Sequence, residues 1–342
     1  MKMRAACYRG DKKFSVEQKD VPAAIAADEV EIDVAFCGIC GTDLHIYLGH
    51  MDGRVGFERT IGHEMSGIIS RIGDEVTGMS VGQKVVVRPL DACHNCPACD
   101  AGHDHICHNL KFLGIDTDGA FQDKWVVPAH TVHILPEKVD LAHAALIEPL
   151  AVACHDINRA QIKTGEDVLV IGGGPIGLLV ALVARHAGGN VRISEVNESR
   201  IAYAQKLGFE TYNPRECDVA EQMRHDTASK GADVVFEVSG TQAGVDVMTQ
   251  VAAARGRIVM VAIHANAPSI DMFKFFWQEI ELLGARVYRA EDYEQAMKLL
   301  AEGVVDCDSF ITDIQPLEDI QQAFDTLAGN PSAIKSMIQM NG

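Results

Sequence analysis

Two patterns of hydrophobic and polar positions divide this chain. From residue 29 to 137, short apolar runs alternate with polar residues and are punctuated by Gly and Asp, as in Glu29-Val30-Glu31-Ile32-Asp33-Val34 and Gly82-Gln83-Lys84-Val85-Val86-Val87. A period of two bounded by turn residues predicts strands, and its repetition predicts a compact β-rich domain. From residue 167 the grammar changes: an apolar run at 168–171 enters glycines, then comes a helical stretch at 176–186 and a short strand at 191–194. That order is the start of a βαβ unit. Strand candidates at 233–238, 257–263 and 282–287, separated by helical stretches such as 242–253, extend it to a parallel, doubly wound sheet. After residue 289 an amphipathic helix (292–301), a second helix (317–327) and a final strand (335–340) follow; the pattern leaves open which domain takes this tail.

Length agrees with two domains, since 342 residues exceed one ordinary domain of about 100–200. Charge removes one class of partner: 30 Lys and Arg against 48 Asp and Glu give a formal charge of -18, the wrong sign for nucleic acid. No apolar stretch approaches the roughly 20 residues that cross a bilayer, and the run at 176–184 ends at Arg185. Residues 1–10 are charged and lack the apolar core of a secretory signal, so a cytoplasmic protein is expected.

Four of the ten cysteines crowd into one loop as Cys93-x2-Cys96-x2-Cys99-x7-Cys107. Four thiolates from one loop make the closed tetrahedral set that structural zinc prefers, whereas four unliganded thiols in a polar loop would invite oxidation. Pro97 and Gly102 suit the turns of such a lobe; His94, His103, His105 and His108 are read as solvated loop residues. Cys7, Cys37, Cys154, Cys217 and Cys307 are read as small apolar packing residues.

Gly172-Gly173-Gly174-Pro175-Ile176-Gly177 fits G-x-G-x-x-G between a strand and a helix. Gly172 permits the tight turn, Gly174 lets a pyrophosphate approach the backbone, Gly177 lets helix and strand pack closely, and the helix N-terminus faces the phosphates. Glu195 ends the next strand, where a carboxylate accepts from the ribose hydroxyls and repels a 2'-phosphate, so NAD is expected over NADP. Arg200 is the residue that argues the other way, as a cation near the adenosine, although a stacking or solvated role is equally open to it.

A second, scattered set is Cys40, followed by Gly41-Thr42-Asp43-Leu44-His45, and the pair His63-Glu64. One thiolate, one imidazole and one carboxylate make three zinc ligands and leave a fourth position for water or a substrate oxygen, the mark of a catalytic site. Glu148, in Glu148-Pro149-Leu150, could complete or approach this shell, or merely start a helix.

Taken in order, these motifs resemble the zinc-dependent medium-chain alcohol dehydrogenases over nearly the whole chain. Within them the chain is similar to the polyol (sorbitol, butanediol) and L-threonine 3-dehydrogenase branch, because a carboxylate follows His63 and position 148 is Glu rather than Cys. The resemblance implies an α/β protein: a GroES-like β-rich catalytic domain over 1–150, a Rossmann doubly wound parallel-sheet domain over 151–289, and a segment 290–342 returning to the catalytic domain. It implies that Cys40, His63 and Glu64 hold catalytic zinc with Glu148 at or behind the metal, that Cys93, Cys96, Cys99 and Cys107 hold structural zinc, that Thr42 and His45 relay the proton, and that Ile176, Glu195 and Arg200 contact NAD.

Pro149-Leu150-Ala151-Val152 departs from the threonine enzymes toward the polyol enzymes, while Ile46-Tyr47 after the relay histidine departs the other way. The expected activity is oxidation of a secondary alcohol of a small polyol to a ketone; the rivals are an L-threonine 3-dehydrogenase and a non-catalytic nucleotide-binding zinc protein. Tyr47 and Arg289 are the pocket residues this reading puts to the test, with Arg286 or Arg289 as a cation for a bound carboxylate. A homotetramer or homodimer is expected by family analogy.

Overall fold

A computed structural model describes residues 1–329 and 333–341. The chain forms two compact units, Met1–Glu148 with Arg289–Gly342, and Pro149–Tyr288.

In the first unit, a seven-stranded sheet runs in the order Val132–Ile134, Lys84–Val87, Glu64–Ile72, Glu29–Gly38, Lys335–Gln339, Ile311–Pro316, with Lys124–Pro128 also pairing along Glu29–Gly38. The late strand Lys335–Gln339 lies antiparallel to Glu29–Gly38, Met337 opposite Gly38 and Ile338 opposite Cys37, which carries Lys335 to the start of the Cys40 segment. Alternate residues of these strands, Val30, Ile32, Val34, Val85, Val87 and Met337, fill the core. A three-stranded sheet (Phe14–Asp20, Lys2–Tyr8, Arg59–Thr60) and a small ribbon (Leu90–Asp91 with Lys111–Phe112) complete the β structure.

The second unit is a six-stranded parallel sheet in the order Glu210–Tyr212, Asn190–Ser194, Asp167–Ile171, Ala232–Glu237, Ala252–Met260, Glu281–Gly284. In chain order this is 3-2-1-4-5-6, the doubly wound arrangement whose strand order reverses beside the first strand. Leu169, Val235 and Ile258 from the strands pack with Val245 and Met248 of the helix Gln242–Val251.

Several boundaries differ from the sequence expectation for local reasons. The helix expected to reach 253 stops at Val251 and the chain enters Ala252–Met260 at once, with Arg255 at φ +58° and the register shifting between Ala232 and Val234. Leu317–Asp319 is a 3-10 turn that leads into Ile320–Gly329. The helix Met272–Gln278 is one that hydrophobic period could not reveal, because most of its apolar residues do not face inward: Phe276 and Trp277 are 77% and 71% exposed, and only Phe275 packs against the core.

Candidate active site

The four-cysteine loop folds on itself through His94 and Gly102, both at positive φ, and a short helix Pro97–Asp100 with Pro97 in its first turn. Cys96 and Cys99 sulfurs lie 3.5 Å apart, Cys96 and Cys107 3.8 Å, and Cys107 and Cys93 3.3 Å. Zinc bonds of roughly 2.3 Å in a tetrahedron put sulfurs about 3.8 Å apart, so the donors fit that ion. Backbone N–H groups point at the sulfurs: those of Cys99 and His108 pull the Cys96 thiol down to about 6, while burial pushes Cys99 up to about 12. Four thiols this close cannot all ionise alone, and a dication is what removes the protons together. The neighbouring histidines lie outside this ligand set; the His103 ring takes the guanidinium of Arg289 at 3.2 Å.

The scattered set converges. Cys40 caps the helix Gly41–Tyr47: its sulfur accepts from Thr42 N at 3.5 Å and Asp43 Oδ2 accepts from Cys40 N at 2.9 Å, a capping box with cysteine in the usual hydroxyl position. His63 and Glu64 arrive at the start of the strand Glu64–Ile72 after Gly62, whose φ of +101° and 2.9 Å clearance from Phe121 exclude a side chain. One ligand atom each from Cys40, His63 and Glu64 lies within 4.8 Å of the others. Fully buried Asp43 faces His63 Nδ1 at 3.5 Å and thereby leaves the other ring nitrogen for a metal. Burial and then the charge of Glu64 raise the Cys40 thiol, so it keeps its proton until a cation arrives; burial opposes protonation of His63 most strongly, but Asp43 and Cys40 together outweigh it and raise that pKa. One thiolate, one imidazole and one carboxylate are a donor set that fits zinc.

The sequence reading missed Lys335. Its ammonium pairs with Glu64 and donates to Ile39 O at 2.9 Å, in a setting where Lys335 is 4% and Glu64 1% exposed. Burial alone would lower its pKa, yet Glu64 and Cys40 raise it, so the lysine is charged. Gly38 makes this possible: a Cβ there would stand 2.2 Å from Glu64 Oε2 and 2.8 Å from Lys335 Cε. Glu148 lies outside the three-ligand group, buried in the first turn of the helix Ile147–Ala160, close enough for its charge to act on Lys335 and Tyr293.

Thr42 and His45 sit three apart on one helix, hence on one face, and His45 Nδ1 lies 3.2 Å from His50 Nδ1. Tyr47 does not line a pocket. Its ring is buried and stacks on Phe14 (6.0 Å, 1°) and against Phe324, and its hydroxyl donates to Asp325 at 2.5 Å, so the pocket role expected of it is withdrawn. Arg286 is exposed, and Arg289 is engaged with His103.

In the second unit, the loop Gly172–Gly177 joins the strand Asp167–Ile171 to the helix Pro175–His186. Gly172 takes φ +105°, and a Cβ on Gly177 would lie 1.8 Å from Gly172 O. Glu195 locks this loop: its carboxylate accepts from Gly173 N (2.7 Å), Val196 N (2.7 Å) and Asn197 N (2.8 Å). Arg200 reaches over Gly174, its Nη1 3.6 Å from where a Cβ would be, with a buried Nε that lacks a hydrogen bond. Ile176 is the second residue of that helix, partly exposed beside the glycines.

Residues 26–137 match the family described as alcohol dehydrogenase GroES-like domain, and residues 175–302 the family described as zinc-binding dehydrogenase. The chain is 54% identical over 339 residues, 99% of each chain, to 2-dehydro-3-deoxy-L-galactonate 5-dehydrogenase of Pseudoalteromonas atlantica. It is 32% identical to (R,R)-butanediol dehydrogenase of Neisseria gonorrhoeae, covering 99% of this chain and 100% of that one. The crystal structure of 2R,3R-butanediol dehydrogenase from Bacillus subtilis superposes with a TM-score of 0.91 at 29% identity over 99% of this chain and 100% of that chain.

Proposed function

Because this chain belongs to the zinc-binding alcohol dehydrogenase family, we propose that it oxidises a secondary alcohol of a polyhydroxylated sugar acid to a ketone, with NAD as the hydride acceptor. The substrate we assign is 2-dehydro-3-deoxy-L-galactonate or a close relative, oxidised at C5. One observation carries this: identity of 54% along the full length of a relative with that activity. The butanediol relative supports the coarser class, a zinc-dependent dehydrogenase of vicinally oxygenated secondary alcohols, at much lower identity.

Cys40, His63 and Glu64 hold the catalytic zinc in this reading, and Cys93, Cys96, Cys99 and Cys107 the structural one. Zinc supplies Lewis acidity that lowers the pKa of a hydroxyl, as it lowers that of water to about 7. The hydroxyl proton leaves through the chain's own groups. Thr42, too weak a base to keep a proton, passes it to His45 on the same helix face. Burial, and then the neighbouring His50, hold His45 below its ordinary pKa, so it is neutral at pH 7 and able to accept. Exposed His50 at 3.2 Å hands the proton to solvent. Glu148 adds negative charge close to this centre. Gly172, Gly174, Ile176 and Gly177 receive the pyrophosphate end of NAD, Glu195 the ribose, and Arg200 the adenosine side.

The protein works as a homodimer or a homotetramer, assembled through the Met272–Gln278 helix. Met272, Phe273, Phe276 and Trp277 are all more than half exposed, and the adjoining strand Glu281–Gly284 is the open edge of its sheet. A strand edge run antiparallel about a two-fold is complementary to its own copy, which would cover those rings. No helix among the described residues is long and apolar enough to cross a membrane, and ten cysteines with none in a disulfide suit the reducing cytoplasm.

Initial rates of NADH formation across the sugar acid, short polyols, butanediol stereoisomers and L-threonine test the assignment. Preference for the sugar acid is expected. Preference for L-threonine would replace the reading, and turnover of none by zinc-replete protein that binds NADH would favour a non-catalytic role.

A further inference from the structure

Arg88 is a buried cation of the first unit with no carboxylate partner among the described residues. It follows the strand Lys84–Val87, and its backbone is clamped: its N–H donates to Thr131 O at 2.7 Å and its carbonyl accepts from Leu90 N at 2.7 Å. Leu90 pairs with Phe112, whose ring lies edge-on to His63 at 5.2 Å, so Arg88 is rooted in the ribbon that packs on the metal-binding histidine. Val87, one residue earlier, accepts the hydroxyl of Tyr293 at 2.8 Å; Tyr293 in turn stands in the electrostatic field of Glu148, Arg88 and Glu64 together.

The side chain is 8% exposed, and its Nε is sealed without a hydrogen bond. Three other largely buried cations have carboxylates: Lys335 has Glu64, Arg192 has Asp167 at 3.1 Å, and Arg257 has Glu166 at 2.5 Å. Arg88 has no such partner among the described residues. Its field is felt by His133, which burial and then Arg88 hold down to about 4, and by Tyr293, and neither is an anion at neutral pH. Leaving a guanidinium buried and unpaired is costly, and its planar fork matches a carboxylate through two parallel hydrogen bonds.

We propose that Arg88 binds the carboxylate of the substrate and so makes this site selective for sugar acids over neutral polyols. This rests on the sugar-acid reading above and adds the residue that enforces it. A neutral polyol would leave the guanidinium desolvated and unpaired, and that penalty is the source of the discrimination. Arg286 and Arg289, the cations that sequence position suggests, are not needed.

The test uses the zinc-loaded protein. Wild type, Arg88→Gln and Arg88→Lys are compared for kcat and KM on 2-dehydro-3-deoxy-L-galactonate and on a neutral polyol, with bound zinc measured for each. The expected result for Arg88→Gln is a KM for the acid raised by about 10- to 100-fold, the range of a charged hydrogen bond. Its kcat on the acid should stay within a few-fold, its kcat/KM on the neutral polyol should rise because the unpaired guanidinium is gone, its zinc content should be unchanged, and Arg88→Lys should recover part of the loss on the acid. Equal changes on acid and neutral substrates would overturn the proposal and leave Arg88 a packing role. Should Arg88→Gln not fold, inhibition of wild type by an aldonate and by its neutral amide decides instead: tighter inhibition by the acid is expected, and equal inhibition overturns it. If wild type turns over neutral polyols and no sugar acid, the substrate assignment itself has failed and this proposal with it. Turnover of the acid with an indifferent Arg88→Gln variant defeats the Arg88 proposal alone.

Discussion

Replacing Lys335 with methionine isolates the electrostatics of the metal centre, because methionine keeps an unbranched chain of similar length and removes only the charge. Lys335 and Glu64 are both almost fully buried, so the variant leaves a carboxylate sealed beside the Cys40 sulfur without its counter-ion. Breaking a buried pair from one side costs about 3–5 kcal/mol. The unit that contains it has about 200 residues; at roughly 2.1 cal/mol/K per residue its unfolding entropy is about 0.4 kcal/mol/K, so Tm of the metal-free protein should fall by about 7–12 °C. The lysine's pKa is raised by folding, so its contribution is complete below the unfolded value near 10.4 and is lost only as pH rises beyond it. At pH 7 the full effect is therefore measured. If zinc is held by Cys40, His63 and Glu64 as proposed, it supplies the missing positive charge, and the zinc-replete variant should recover most of the difference from wild type. Calorimetric melting of both proteins, metal-free and zinc-replete, is the assay. An equal deficit in the two states would refute the reasoning, because Lys335 would then act independently of the metal centre; so would an unchanged metal-free Tm.

Three further outcomes follow from named contacts. Glu195→Ala should narrow the preference for NAD over NADP by about 10-fold or more, read as the ratio of kcat/KM values, because the carboxylate repels a 2'-phosphate; an unchanged ratio would assign selectivity elsewhere. His133 has a folded pKa of about 4 against about 6.5 unfolded, so the unfolded chain takes up the proton first on acidification. Its stabilising effect is whole above pH 6.5 and declines by at most about 3 kcal/mol as pH falls to 4, and His133→Gln should lose that acid sensitivity in melts at pH 7 and pH 5. Trp277→Lys should shift the protein toward monomer in sedimentation equilibrium, whereas an unaltered mass would move the interface away from the Met272–Gln278 helix.

What the sequence makes legible is what lies close together in it. The four cysteines and the glycine turn are each contained in one short stretch, so spacing alone names the ligand and the fold element. Cys40 and His63-Glu64 are separated, and the family resemblance rather than spacing joins them. Lys335 meets Ile39 across 296 positions, through an antiparallel pairing that no local pattern encodes. Arg88 reads as an ordinary strand-end arginine until the structure buries it with no carboxylate partner among the described residues. Tyr47 misleads for the opposite reason: its place after the relay histidine suggests a pocket, but a helix seven residues long turns it inward to Phe14 and Phe324.

The most direct test of the central claim is to incubate zinc-replete protein with 2-dehydro-3-deoxy-L-galactonate and NAD, follow NADH, and locate the new carbonyl by carbon NMR. NADH should form in step with a C5 ketone, with formation abolished by stripping the metal and restored by zinc. Turnover that survives metal removal, or a carbonyl at another carbon, would contradict it.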